Sequence, residues 1–234
     1  MANDTTFTGD RHAPMRSPLA TLERRFVDYW TPRFPCLIET HHLTMLTLLW
    51  SAIVVLAGWL VVRTGSRHWL WLSSLMLFLQ WFTDSFDGSV GRYRDTGLRR
   101  WGFYMDHFLD YVFMACVFGQ YAFLVPPHSA PLILVMVPLY GAFEVNSWLE
   151  YGATGEFHIT YGGVGPTEIR LAFILLNTVI IFTGAEWLAQ VVPWMIAAGL
   201  IGLAFIVART QKKIWRLDMA EKAARNADDT KPDE

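Results

Sequence analysis

The sequence predicts an all-α integral membrane protein, with six transmembrane helices preceded by an amphipathic juxtamembrane helix. Three observations lead there. Of the 234 residues, 53% are hydrophobic and 15% aromatic, and only 17% are charged, against about 25% in an average soluble domain. Six apolar runs are long enough to cross about 30 Å of hydrocarbon, which takes roughly 20 helical residues. The basic residues are distributed about those runs in the one-sided way that a bilayer imposes. Helices rather than a barrel are expected, because no barrel-type alternation is visible and a helix satisfies its own backbone in lipid.

Residues 1–42 form a polar segment that lacks the short apolar core of a cleaved signal peptide, so the first hydrophobic span is expected to be retained. Within it Leu19, Leu22, Phe26, Tyr29 and Trp30 recur near helical spacing among Glu23, Arg24, Arg25 and Asp28. That pattern suits an interfacial helix whose basic residues meet anionic lipid, and equally a solvated cap over the bundle. The membrane domain, 43–208, follows. Its spans run from about Leu43 to Val62, His68 to Phe82 and on into an aspartate-bearing stretch, and Phe103 to Val125. The others cover Leu132 to Trp148, Ile169 to Thr183, and Trp187 to Ala208. Pro126, Pro127 and Pro131 punctuate the loop after the third span. Residues 209–234 read as a polar tail, in part disordered. Cys36 and Cys116 show neither metal-ligand spacing nor a disulfide framework.

With both termini on the cytoplasmic side, only Arg63 and Arg67 of the 19 basic residues fall outside. The asymmetry supports six spans and places the Asp84 to Asp110 region at the cytoplasmic face, within reach of nucleotides.

Asp84, Asp87, Asp106 and Asp110 stand where the chain is otherwise apolar enough to span a bilayer. Each carboxylate buried there costs several kcal/mol, of the order of ~3, unless something neutralises it. On helices Asp84 and Asp87 share one face, as do Asp106 and Asp110 on the next, and the two faces can converge. An all-oxygen set suits Mg²⁺ or Mn²⁺, and four carboxylates are enough for a two-metal site. Gly88 and Gly91 each cost a helix about 1 kcal/mol, which points to close approach by a ligand. Arg92, with Arg94, Arg99 and Arg100, could hold phosphates beside the metals, or serve only as positive-inside determinants.

These residues resemble the CDP-alcohol phosphotransferases, whose pattern is D-x2-D-G-x2-A-R-x8-G-x3-D-x3-D. Asp84, Asp87, Gly88, Arg92, Gly102, Asp106 and Asp110 fill its positions. Gly91 stands where the pattern has Ala, and nine residues rather than eight separate Arg92 from Gly102. The resemblance implies transfer of a phospho-alcohol from a CDP-linked donor to an acceptor hydroxyl, with release of CMP. It implies Asp84, Asp87 and Asp106 as metal ligands and Asp110 as ligand or base. Asp87, Gly88, Gly91 and Arg92 would then line the CDP site. A homodimer is also implied; a nucleic-acid partner is not expected.

Two local features are similar to the choline and ethanolamine phosphotransferase branch, which joins a CDP-alcohol to a lipid hydroxyl such as that of diacylglycerol. Asp106 is followed by His107, and Gly165-Pro166-Thr167-Glu168 is similar to that branch's Gly-Pro-x-Glu segment, although Ile169 replaces the Gly that follows it. The resemblance therefore implies His107 and Glu168 as a proton-accepting pair. Glu168 has a plainer reading as a helix cap, His107 as a packed histidine, and Glu144 as a structural partner of Arg170. The alternative within the family is a phosphatidyltransferase that uses CDP-diacylglycerol and a small alcohol. Outside the family, intramembrane carboxylates also fit an ion or proton transporter.

Overall fold

The computed structural model describes residues 19–156 and 165–228. Helix α1 (Ala20–Trp30) leads through a 3-10 turn, Thr31–Arg33, into six long helices: α2 (Thr40–Thr64), α3 (Leu70–Arg94), α4 (Arg99–Leu124), α5 (Ala130–Thr154), α6 (Pro166–Thr183) and α7 (Leu188–Asp228). The described residues contain no strand. Five of the long helices, α2, α4, α5, α6 and α7, are apolar enough to cross a membrane. α3 has the length, 25 residues, but Gln80, Asp84 and Asp87 dilute its apolar content. The polar tail begins as helix: α7 continues to Asp228 as one 41-residue helix, and the segment 229–234 at the end of the tail, part of the stretch expected to be disordered, lies outside the described residues.

Helix ends fall where local chemistry stops them. Glu39 begins α2, with His42 Nδ1 accepting its backbone N–H at 3.1 Å. Gly65, at φ 69°, closes α2 in the left-handed conformation that lacks a penalty only for glycine. The four-residue link Asp95–Leu98 between α3 and α4 uses two left-handed residues, Asp95 at φ 51° and Gly97 at φ 74°.

α2 packs along both α3 and α4, α6 lies on α3, and α5 joins α4 to α7. Val54, Leu70, Leu77, Phe113, Val117 and Ile180 form the heart of the main core. Close approach of α2 and α4 depends on Gly58, where a Cβ would lie 2.7 Å from Gln120 Cγ. A buried polar knot joins α3, α4 and α6: Tyr121 donates to Asn177 Oδ1 at 2.8 Å, while Asn177 Nδ2 donates to Ser73 and Ser74 at 3.3 and 3.1 Å.

A smaller cluster, Val27, Leu43, Phe86 and Val90, packs α1, α2 and α3 together beside the aspartates. Phe86 meets Phe82 at 4.7 Å and Phe34 at 5.1 Å. Arg94 donates to the carbonyls of Ile38, Phe34 and Pro35 at 2.7 to 3.0 Å, which pins the chain ahead of α2. At the same end Tyr151 of α5 stacks near Phe103 of α4 at 5.3 Å, and Lys213 of α7 pairs with Glu150 of α5 at 2.8 Å. The α3–α4 turn, α1, the start of α6 and the α7 extension therefore share one end of the bundle. Arg67 lies at the other end, beside Gly184.

Candidate active site

The aspartates come from two adjacent helices, α3 and α4, in the register their spacing predicts. All four lie within one another's electrostatic reach, and Asp84 and Asp106 approach within hydrogen-bond distance. Two carboxylates that close need a proton or a cation between them. Asp87 is the most enclosed: its Oδ2 accepts from Thr44 Oγ1 of α2 at 2.6 Å, and its Oδ1 accepts from the Gly88 N–H.

Arg170, in the first turns of α6, is the centre of the arrangement. Its side chain is 7% exposed, and Nη2 lies 3.0 Å from both Asp84 Oδ2 and Asp110 Oδ1. Its Nε donates to Gln80 Oε1, and Gln80 Nε2 donates in turn to Asp110 Oδ1 at 2.7 Å. The positive-inside rule treats Arg170 as a topological charge, and periodicity alone passes over Gln80 and Thr44. Two signals were present: Gln80 lies four residues before Asp84, and Arg170 is the one charge between Ile169 and Thr183.

The other expected site residues fall as follows. Nδ1 of His107 is 3.6 Å from Asp106 Oδ2, its ring edges against Phe103 at 4.5 Å, and it influences Asp110 and Glu144 electrostatically. Glu144 hydrogen-bonds Tyr140 one turn earlier on α5 and is within electrostatic range of Arg170. Glu168 does what a helix cap does. Its Oε2 accepts from the Gly165 N–H at 3.0 Å, and its Oε1 accepts from the Leu19 N–H at 3.3 Å, which ties the start of α1 to α6. The tie is doubled by Glu23, which accepts from Ser85 Oγ at 2.7 Å and Thr167 Oγ1 at 2.6 Å. Of the two readings of α1, docking on the bundle is thus visible, while Leu22, Phe26, Tyr29 and Trp30 stay exposed.

The glycines separate into two kinds. A Cβ at Gly91 would lie 2.7 Å from Thr40 Oγ1, so the bare surface there admits the start of α2. At Gly88 the nearest atom is the guanidinium of Arg92, at 3.1 Å and at the end of a flexible side chain, and Gly102 faces open space. Arg92 touches Ser89 at 3.1 Å, and Arg92, Arg99 and Arg100 are exposed around the α3–α4 turn. Arg94 is already committed to backbone carbonyls.

The donor chemistry suits a hard divalent cation: carboxylate oxygens only, two of them forced together, on two rigid helices. Among the described residues no three His, Cys, Asp or Glu side chains are placed as a ready metal cage, and Arg170 Nη2 lies between Asp84 and Asp110. A groove of about 310 Å³ between α5 and α7, lined by Leu149, Glu150, Val207, Ile214, Trp215 and Asp218 among others, includes none of the four clustered aspartates.

Such a site, clustered carboxylates at one end of a helical membrane bundle with exposed arginines around it, belongs to a membrane-embedded enzyme acting on a phosphate-bearing substrate. A model of the CDP-alcohol phosphatidyltransferase family matches residues 41–207, most of the chain and all four aspartates, and the chain belongs to that family. No curated protein and no solved structure matches it. The protein is a transferase of phosphate-containing groups that works between a CDP-alcohol and an alcohol acceptor in the membrane.

Proposed function

We propose that the chain transfers a phospho-alcohol from a CDP-choline- or CDP-ethanolamine-type donor to a lipid hydroxyl such as that of diacylglycerol, releasing CMP. The observation that carries this reading is His107 beside Asp106 and within the field of Asp110, a proton acceptor set into the carboxylate cluster. The acceptor oxygen attacks the phosphorus that bears the alcohol, the bond from that phosphorus to the CMP oxygen breaks, and the hydroxyl proton passes to His107 or Asp110. Asp84, Asp87, Asp106 and Asp110 are the residues that would hold Mg²⁺ or Mn²⁺, a set large enough for two ions. When bound, such ions neutralise the diphosphate and stabilise the leaving CMP.

Gly88 and Gly102 leave room for the nucleotide, and Arg92, Arg99 and Arg100 are exposed beside it to meet its phosphates. Gly91 and Glu168 enter this proposal as residues that position α2 and α6, not as groups in contact with substrate. α3 is the sixth span on this reading, with both termini and the site on the cytoplasmic side.

The test is CMP release by the purified protein with Mg²⁺ or Mn²⁺. CDP-choline or CDP-ethanolamine plus diacylglycerol is compared with CDP-diacylglycerol plus small alcohols. Release with the first pair is expected. Release only with the second would move the protein to the phosphatidyltransferase branch. Asp84→Asn and Asp110→Asn should each abolish turnover in a folded protein, and retained activity would sink the site assignment.

A further inference from the structure

We propose that Arg170 is a built-in cation of the carboxylate cluster: in the donor-free enzyme it fills one of two cation positions, so that one divalent ion binds and not two. The inference deepens the metal-dependent reading above and rests on it. A guanidinium stays charged at any working pH, and this one is fixed from behind. Its Nε is held by Gln80, a residue with no exposed surface, and Gln80 also donates to Asp110. Its Nη2 spans carboxylates of two different helices, at 3.0 Å from Asp84 Oδ2 and 3.0 Å from Asp110 Oδ1. A cation that bridges two carboxylates is the arrangement expected of a second metal ion.

Net charge alone does not choose between one ion and two: four ionised carboxylates and Arg170 leave three negative charges, which one divalent ion brings to −1 and two to +1, so it is position that decides. A second ion would have to sit against a guanidinium that the protein holds in place. The carboxylates that Arg170 does not touch, Asp87 and Asp106, together with the remaining oxygen of Asp84, are left for the single ion. Arg170 is on this account a positioning residue, distinct from the groups that touch substrate.

The experiment is Mn²⁺ titration of the intact chain in nucleotide-free lipid nanodiscs, with free Mn²⁺ read by electron paramagnetic resonance. Wild type should bind one ion per chain, Arg170→Lys one, and Arg170→Gln two. A role limited to holding the helices together would not raise the stoichiometry. Two ions bound by wild type, or one by a folded Arg170→Gln, overturns the proposal. Should Arg170→Gln not fold, the wild-type count decides, with Gln80→Met expected to keep one ion. Asp106→Asn separates this proposal from the reading beneath it. If that variant binds Mn²⁺ as wild type does, or wild type binds none, the metal site itself is misassigned and both fall. If it loses Mn²⁺ while wild type takes two, only the role of Arg170 falls.

Discussion

Gly91→Ala tests whether the close approach of α2 to α3 is what requires glycine here. The new Cβ would stand 2.7 Å from Thr40 Oγ1 and 3.4 Å from Thr40 Cγ2, with Thr96 Oγ1 next at 3.5 Å. Thr40 is buried in the first turn of α2, and among the described residues its hydroxyl has no hydrogen-bond partner. Overpacking of this kind costs about 1–3 kcal/mol, while Gly to Ala in a helix interior returns about 1 kcal/mol. The single variant should therefore be destabilised by about 0–2 kcal/mol. Thr40→Ala removes both close atoms, so adding Gly91→Ala to it should stabilise by about 1 kcal/mol, a reversal of sign that the double-mutant cycle isolates. Unfolding by a denaturing detergent, followed by circular dichroism, measures the four proteins. Because Thr44, one turn beyond Thr40, holds Asp87, the single variant should also lose CMP release several-fold and the double variant regain it. Gly91→Ala more stable than wild type without the Thr40 change would refute the packing argument.

His107→Ala should lower CMP release while CDP binding, measured by calorimetry, is kept; loss of both would make His107 a structural residue beside Asp106. At Lys213 burial works against the charge, but hydrogen bonds to Glu150 and Glu156 outweigh it and hold the ammonium above its ordinary pKa. Because the folded value is the raised one, its contribution to holding α7 on α5 is complete below the ordinary lysine pKa and disappears as pH rises through the raised value. A spin label carried by Ala220→Cys should accordingly gain mobility in Lys213→Met at neutral pH, and in the Lys213 parent only under strongly alkaline conditions.

The bundle was legible because a bilayer makes hydropathy a strong signal: each apolar run corresponds to a long helix that begins within four residues of its start, while α3, α5 and α7 run 12, 6 and 20 residues past its end. Composition did not show that α7 runs on through residues 209–228, where a polar stretch that continues an established helix needs no new nucleus and is clamped by Lys213. The aspartates were legible from spacing alone, since positions three and four apart share a helix face. What the sequence could not show is which residue compensates them. Arg170 lies 60 residues beyond Asp110, and only the packing of α6 on α3 brings it in. The same limit applies to Gly91, where spacing suggests a ligand surface and the partner is Thr40, 51 residues earlier.

The four carboxylates are restrained to different degrees, and the differences bear on how the cluster could work. Asp87 is fixed by a hydroxyl from α2 and its neighbour's amide, Asp110 by Gln80 and Arg170, and Asp84 by Arg170. Asp106, among the described residues, is met at close range by Asp84 and, at 3.6 Å, by His107, and at 29% its side chain is more exposed than Asp84 at 20% or Asp110 at 21%. Pre-organisation is useful in ligands that must be ready before substrate arrives, and a looser ligand is useful where the coordination changes during the reaction. Asp106 also adjoins the His107 imidazole, one helical turn from Gly102 and its open space. The least restrained of the four carboxylates thus stands on α4, toward the exposed arginines of the α3–α4 turn, while α2, α3 and α6 supply the contacts that hold Asp84, Asp87 and Asp110.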